Sequence, residues 1–404
     1  MVFMFPLIIL LFAGGWVDRY NKCKAVMILP LVGECLYFVT MLIAAIWFDS
    51  LPFEFGGYLE TIVPAMFGGE ACLIMSVFTY MSISTPEKDR VLRFGVFAIV
   101  SQLHQFVFVV FRSPPNFLGY TISFATGALF QVAAIIYVIM FLKEPKPHEE
   151  AFELPDQDDL KASEIESPKI ELRCNVLREF FDPTLVVELV KLPFKRRENN
   201  ERLILLLLML CYILFSGPEA GEAEYMDMYS DKKPVWNKNF DYRAYIMVKR
   251  SSAIFGTFFG TVILSKMLKF SDSMLGIWSA IFTVVSRLLY AFVADTPTYY
   301  AAGVLDLFSL FRYIPIKTIA STVIEGEAKL FSLLGILEPI EAHVFSAIYK
   351  KVYALTSKSF PGAVFLLSEL LYLPNVLIFI ACYFLLRRRN TKTPQTSEQS
   401  EQQS

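Results

Sequence analysis

What this chain of 404 residues has little of rules out most soluble enzymology. Histidine occurs three times, and charged residues make up only 19% of the sequence. There is no HExxH, no GxSxG and no GxGxxG, so the metal-ligand pair, the nucleophile elbow and the phosphate cradle that those spacings build are missing. The six cysteines (Cys23, Cys35, Cys72, Cys174, Cys211 and Cys382) show no CxxC spacing. Most lie in or beside apolar runs, where Cys behaves as a small hydrophobe, so neither a disulfide framework nor a metal site is expected. A net charge of -2 offers no basic field for nucleic acid. No catalytic residue and no cofactor are expected.

What is plentiful points to a bilayer. Apolar residues make up 55% of the chain, with 38 Phe, 19 Tyr and 4 Trp, and the mean hydropathy is +0.48. A soluble domain cannot hide that much apolar surface, whereas a membrane-spanning helix needs about 20 consecutive, mostly apolar residues. Eleven runs qualify, near 1–17, 25–47, 58–81, 94–113, 117–142, 203–220, 247–265, 273–293, 297–316, 329–350 and 361–386. The first starts at Met1 without a charged lead or a small-residue cleavage site, and so does not read as a signal peptide. Lys and Arg concentrate in alternate connections, above all in the long central one and in Arg387-Arg388-Arg389, which sets those segments on the cytoplasmic side.

Four segments follow: an N-terminal helical half (1–142), a cytoplasmic central loop (143–202), a C-terminal six-helix half (203–386) and a disordered cytoplasmic tail (387–404). The stretch 144–166 is too acidic and polar to bury a core. Residues 176–202 alternate apolar and basic positions up to Lys195-Arg196-Arg197, a pattern suited to the anionic inner leaflet.

The short connection Gly14-Gly15-Trp16-Val17-Asp18-Arg19-Tyr20-Asn21-Lys22 resembles the G-x-x-x-D-R-x-G-R-R loop of the major facilitator superfamily. Gly14 permits close helix approach. Asp18 can sit at a neighbouring helix N-terminus and pair with an Arg, and Asn21 suits a left-handed position in place of the motif's glycine. Gly14, Asp18, Arg19 and Lys22 are therefore the candidate gating loop.

Four further stretches narrow the resemblance. They are Thr79 to Arg90 with Arg93, Gly260 to Lys269 with Ser271, Asp272 and Gly276, Lys329 to Glu338, and Phe360 to Leu367 with Leu371 to Pro374. In this order they resemble the proton-coupled folate transporter family, solute carrier family 46. The resemblance implies an all-α membrane protein with the twelve-helix major facilitator bundle, here read as eleven transmembrane helices lacking the first span. It also implies secondary active transport of an organic anion, folate-like or similar, by alternating access and proton symport.

Ionisable residues inside a bilayer are functional candidates, since a charge at its centre costs about 2.5–3.5 kcal/mol on insertion scales. The candidates are Glu34, Glu70, His104, Arg287, Asp306, Arg312, Lys317, Glu338, Glu341 and His343. Arg312, Lys317 and Glu338 are expected at the substrate, Lys317 and Glu338 because the family carries a base and an acid there. Glu70, His104 and Glu338 are the proton-coupling candidates. Asp306 and Arg312, six apart, are too far along a helix to be same-face neighbours. Glu219, Glu222 and Glu224 fall in a stretch, 217–246, read as an outer loop. The family's acids are replaced by Ile83 and Ala98, which weakens the expected pH dependence.

The expected partners are a small organic anion, protons and the lipid bilayer, with the plasma membrane as the expected location and the lysosomal membrane as the alternative. The competing functional reading is a non-transporting membrane sensor or scaffold derived from a carrier.

Overall fold

A computed structural model describes residues 4–47, 53–111, 119–144, 176–197, 200–232, 242–324 and 326–401. The described residues are helical almost throughout. In the first half run α1 (Met4–Tyr20), α2 (Cys23–Ile46), α3 (Phe53–Met66), α4 (Gly69–Ile83), α5 (Glu87–Phe111) and α6 (Tyr120–Phe141). Two short helices follow, α7 (Val176–Phe180) and α8 (Pro183–Lys191). The second half holds α9 (Glu201–Lys232), α10 (Tyr242–Phe258, continued by a π-helix over Phe259–Met267), α11 (Asp272–Ala291), α12 (Thr296–Leu305), α13 (Tyr313–Val323), α14 (Glu327–Thr356) and α15 (Ala363–Glu401).

Among the described residues each of the eleven apolar runs falls mainly on helix, and eight helices are long and apolar enough to cross a membrane. The run at 58–81 is broken into α3 and α4, because Gly68 and Gly69 take φ of +91° and +56°, a conformation that glycine adopts without a Cβ penalty. The run at 297–316 is broken too. After α12 the chain makes a 3-10 turn over Asp306–Phe308 before α13 begins.

Three readings of the connections are corrected. The stretch 217–246 is not all loop: α9 continues through Pro218 to Lys232, a segment rich in the helix formers Glu, Ala and Met. The segment from 387 is helical to Glu401 rather than disordered, since extending an existing helix through Arg, Lys, Gln and Glu needs no new nucleus. The amphipathic α8 leaves only part of its apolar surface open: Phe181, Val187, Val190 and Phe194 are exposed around it. Leu185 and Leu189 are buried, and Leu185 lies so close to Gly15 of α1 that a Cβ there would come within 3.0 Å of it. Most of 144–166 lies outside the described residues.

The halves are joined at the end that carries α8. A Cβ on Gly14 would fall 2.6 Å from the Ala328 carbonyl oxygen, so only glycine permits this approach of α1 to α14. Phe78 of α4 stacks on Phe331 of α14 at 5.7 Å between centroids, with Phe94 of α5 edge-on to both. Along α14 the residues Ala328, Leu330, Phe331, Ser332 and Leu334 are buried, whereas from Glu338 onward most positions are partly or fully exposed.

Candidate functional site: a charged seam between two helical halves

The seal between the halves is built around Asp18. Its carboxylate accepts the backbone N–H of Ala328 and of Lys329, each at 3.1 Å, at the first turn of α14. Four N–H groups at a helix start have no partner within the helix, and the dipole there favours negative charge. Asn21 ends α1 with φ of +53°. Arg19 does not pair with Asp18. It reaches Asp182 (2.9 Å) and Glu188 (2.8 Å) of the α8 segment, and Lys329 meets Glu188 from the other half at 2.9 Å. Lys22 lies over the Trp16 ring at 6.0 Å. A second clasp comes from Arg90 on α5, which donates to the Ser321 carbonyl and hydroxyl at 3.0 Å and pairs with Glu327 at 3.0 Å. Around these groups lies a pocket of about 1470 Å³ that also takes in Lys191, Lys195, Arg196 and Arg389. Lys329 and Arg19 hold the Glu188 carboxyl below its ordinary range, and Thr184 with Arg19 does the same for Asp182.

Above the seal, Lys317 of α13 does not snorkel to the surface. Its ammonium sits 3.8 Å from the centroid of Phe78, on the opposite half. A cation on an aromatic face is attracted by the ring quadrupole, more strongly when water is excluded. Glu338, exposed on α14, faces Lys317, Glu219 on α9 and Glu70 on α4, and the Tyr212 hydroxyl lies 3.4 Å from it. Glu34 on α2 and Glu70 face each other in the first half. The charged groups at the seam are thus mainly acidic, with Lys317 as the cation facing Glu338. The side chain of His104 lies outside the described residues. His343 is exposed and its ring nitrogen meets the Pro339 carbonyl at 2.7 Å.

Arg312 sits differently from Lys317. It is fully buried, flanked by the rings of Phe215, Tyr313 and Tyr372 at 5.2–5.5 Å. Glu219 neutralises it at 2.5 Å, and the Tyr313 hydroxyl donates to the same carboxylate oxygen. Contrary to the helical-spacing argument, Arg312 also approaches Asp306, at 4.0 Å. The reason is the turn between α12 and α13, which cancels the angular offset of six helical residues.

Sequence reasoning missed the set behind Arg312. Arg287 of α11 is buried between Glu222 (2.8 Å) and Asp306 (3.1 Å), and Lys249 approaches Asp306 at 3.8 Å. Glu222, read as a loop charge, is only 4% exposed. With Glu219 and Arg312, three acids meet three bases, so the set is neutral and its desolvation is offset by pairing. The signal that could have found it is the Glu219-to-Glu222 spacing, which places both acids on one face of a continuing helix.

No family model matches the sequence. The lysosomal proton-coupled steroid conjugate and bile acid symporter of Gallus gallus, SLC46A3, is 24% identical over 379 residues, covering 91% of this chain and 74% of that protein. Solute carrier family 46 member 2 of Mus musculus is 28% identical over 190 residues, covering 46% of this chain and 39% of that protein. Among solved structures, the Escherichia coli fucose:proton symporter matches with a TM-score of 0.66 at 16% identity, covering 95% of this chain and 89% of that one. The human organic anion transporter MFSD10 matches at 0.63 and 14% identity, covering 94% and 82%. The chain is a relative of solute carrier family 46 and has the fold of the major facilitator superfamily.

Proposed function

We propose that this protein is a proton-linked secondary carrier of an organic anion, working by alternating access. The observation that carries the reading is the seam itself: two helical halves clasped at one end by Asp18 and Arg90, with Lys317 and Glu338 between them. Carriers of this kind bind solute at the interface of their halves and rock around it. Lys317 is the substrate cation in this reading, because Arg312 is already neutralised by Glu219. Phe78 would supply an apolar face beside it, which suits an anion on a ring system. Folates fit that description, and so do the steroid conjugates and bile acids named for the Gallus gallus relative.

The test is uptake of radiolabelled folate, taurocholate and a cyclic dinucleotide at acid and neutral pH, in cells expressing the chain or Lys317→Ala. Saturable uptake of one of them, lost in the variant, supports the reading. Equal uptake by both chains would remove Lys317 from the site. No uptake with the protein at the cell surface favours the sensor or scaffold reading. Immunostaining of the same cells decides between the plasma membrane and the lysosome that is named for the relative.

A further inference from the structure

Two acids stand one turn apart on α14, and the seam offers them one cation. Glu338 is exposed and faces Lys317. Glu341, three residues on, is only 5% exposed. The Ser216 hydroxyl of α9 donates to one of its oxygens, while Oε2 has no hydrogen-bond partner among the described residues. The helices packed on α14 leave it no other help. From α9 come Tyr212, directed at Glu338, and Glu219, paired with Arg312. From α13 comes Lys317, whose electrostatic partner is Glu338. From α4 comes Glu70, another acid, which also faces Glu338. On α15, Ser368 is bound to Tyr349 and Glu369 faces Arg287. The acids of α1 and α8, Asp18 and Glu188, lie at the far end of α14 beside Lys329, and the cations there are Arg19, paired with Asp182 and Glu188, and Lys191, in the pocket at that same end. Among the described residues the one charge acting on Glu341 is therefore that of Glu338, a like charge.

A buried carboxylate needs a cation or several N–H donors to stay ionised. Among the described residues Glu341 has neither, and its neighbouring acid repels a second negative charge. We propose that Glu341 is the proton-carrying residue of this carrier, held as the neutral acid in the state closed toward the cytoplasm. Its Oε1 accepts from Ser216 and the proton rests on Oε2. When the halves rock and α14 meets cytoplasmic water, the acid passes its proton to a water molecule, leaving the carboxylate hydrated. The assignment rests on the carrier reading above and differs from it in naming where the proton sits. It moves the acid that the family resemblance expects at Ala98 from α5 to the facing half.

The protonation state can be read without any solute. Infrared spectra of the full chain in liposomes at neutral pH separate the C=O stretch of a protonated carboxyl from a carboxylate. The wild type is expected to show a protonated component that Glu341→Gln loses and Glu338→Gln keeps. A spectrum unchanged by Glu341→Gln overturns the proposal. Should that variant fail to fold, Ser216→Ala keeps the carboxyl but removes its hydrogen bond, and the component must shift; an unmoved component overturns the proposal equally. In liposomes that exchange taurocholate, Glu341→Gln is expected to keep counterflow and lose acid-driven uptake. Retained acid stimulation contradicts the assignment. Absence of all exchange in the wild type counts against the carrier reading, and the infrared arm still decides the protonation state.

Discussion

The two helical halves handle charge in opposite ways. The C-terminal half encloses one set of ionisable groups: Arg287, Arg312, Glu222 and Asp306 are all nearly or fully buried, and they tie α9 and α11 to the turn between α12 and α13. In the N-terminal half the buried polar groups are Ser76, Thr79, Ser82, Thr85 and Arg90, and the acids Glu34 and Glu70 lie part-buried or exposed. A half cross-linked by desolvated ion pairs is a rigid body. A half held by apolar packing can slide against it at small cost per contact. The division suggests which half carries the binding chemistry and which supplies the moving wall.

Breaking the cross-link tests this contrast most severely. Arg287→Met leaves Glu222 and Asp306 buried without their shared cation, a loss expected at about 3–5 kcal/mol. Thermal unfolding in detergent should show a large drop. Replacing Glu222 and Asp306 by apolar residues as well should restore much of it, because a complete buried ion set can be exchanged for packing at little net cost. No single polar substitution in the first half, Glu34→Gln or Glu70→Gln included, should approach the Arg287→Met effect.

The seal between the halves comes next. Gly14→Val drives a side chain into Ser332 and the Ala328 carbonyl, an overpacking cost of about 1–3 kcal/mol. Amide exchange over residues 326–332 should accelerate while exchange around Arg287 stays unchanged. Asp18→Asn keeps the shape but loses the charge at the α14 N-terminus, a smaller change of about 0.5–2 kcal/mol, read from the same peptide. Equal acceleration in both places would mean that the halves are not separate bodies.

The smallest effect belongs to the α8 strap. Its carboxyls, Asp182 and Glu188, are held below their ordinary range. Their contribution is therefore present above the unfolded value and lost as the pH falls through the folded one, below about pH 4. Exchange over 183–191 should rise in that window. Exposed pairs of this kind contribute little, so Arg19→Ala should barely move the unfolding temperature.

Much of the architecture was legible, because a bilayer forces apolar length onto every span and basic residues onto one side. Gly14, Asp18 and Asn21 were legible too, since their roles are set by neighbours within one short connection. The ion set was not. Arg287 and Glu222 are 65 positions apart, and Arg312 and Glu219 are 93 apart, separations at which hydropathy carries no pairing information. Arg312 therefore looked available to a solute when the fold had already matched it. Asp306 and Arg312 were judged by helical geometry across a segment that is not one helix. Glu341 was visible only as one intramembrane acid among several, because what distinguishes it is the lack of a cation around it.

The grip of Asp18 on α14 has a bearing on how this latch can evolve. Its two contacts are to main-chain N–H groups, which every residue except proline possesses. The side chains at positions 328 and 329 can therefore drift without loosening it, and only proline there would remove a donor. Across a set of diverged sequences the latch would appear as one fixed carboxylate with no co-varying partner. A search for paired substitutions would pass over the contact that holds the two halves together.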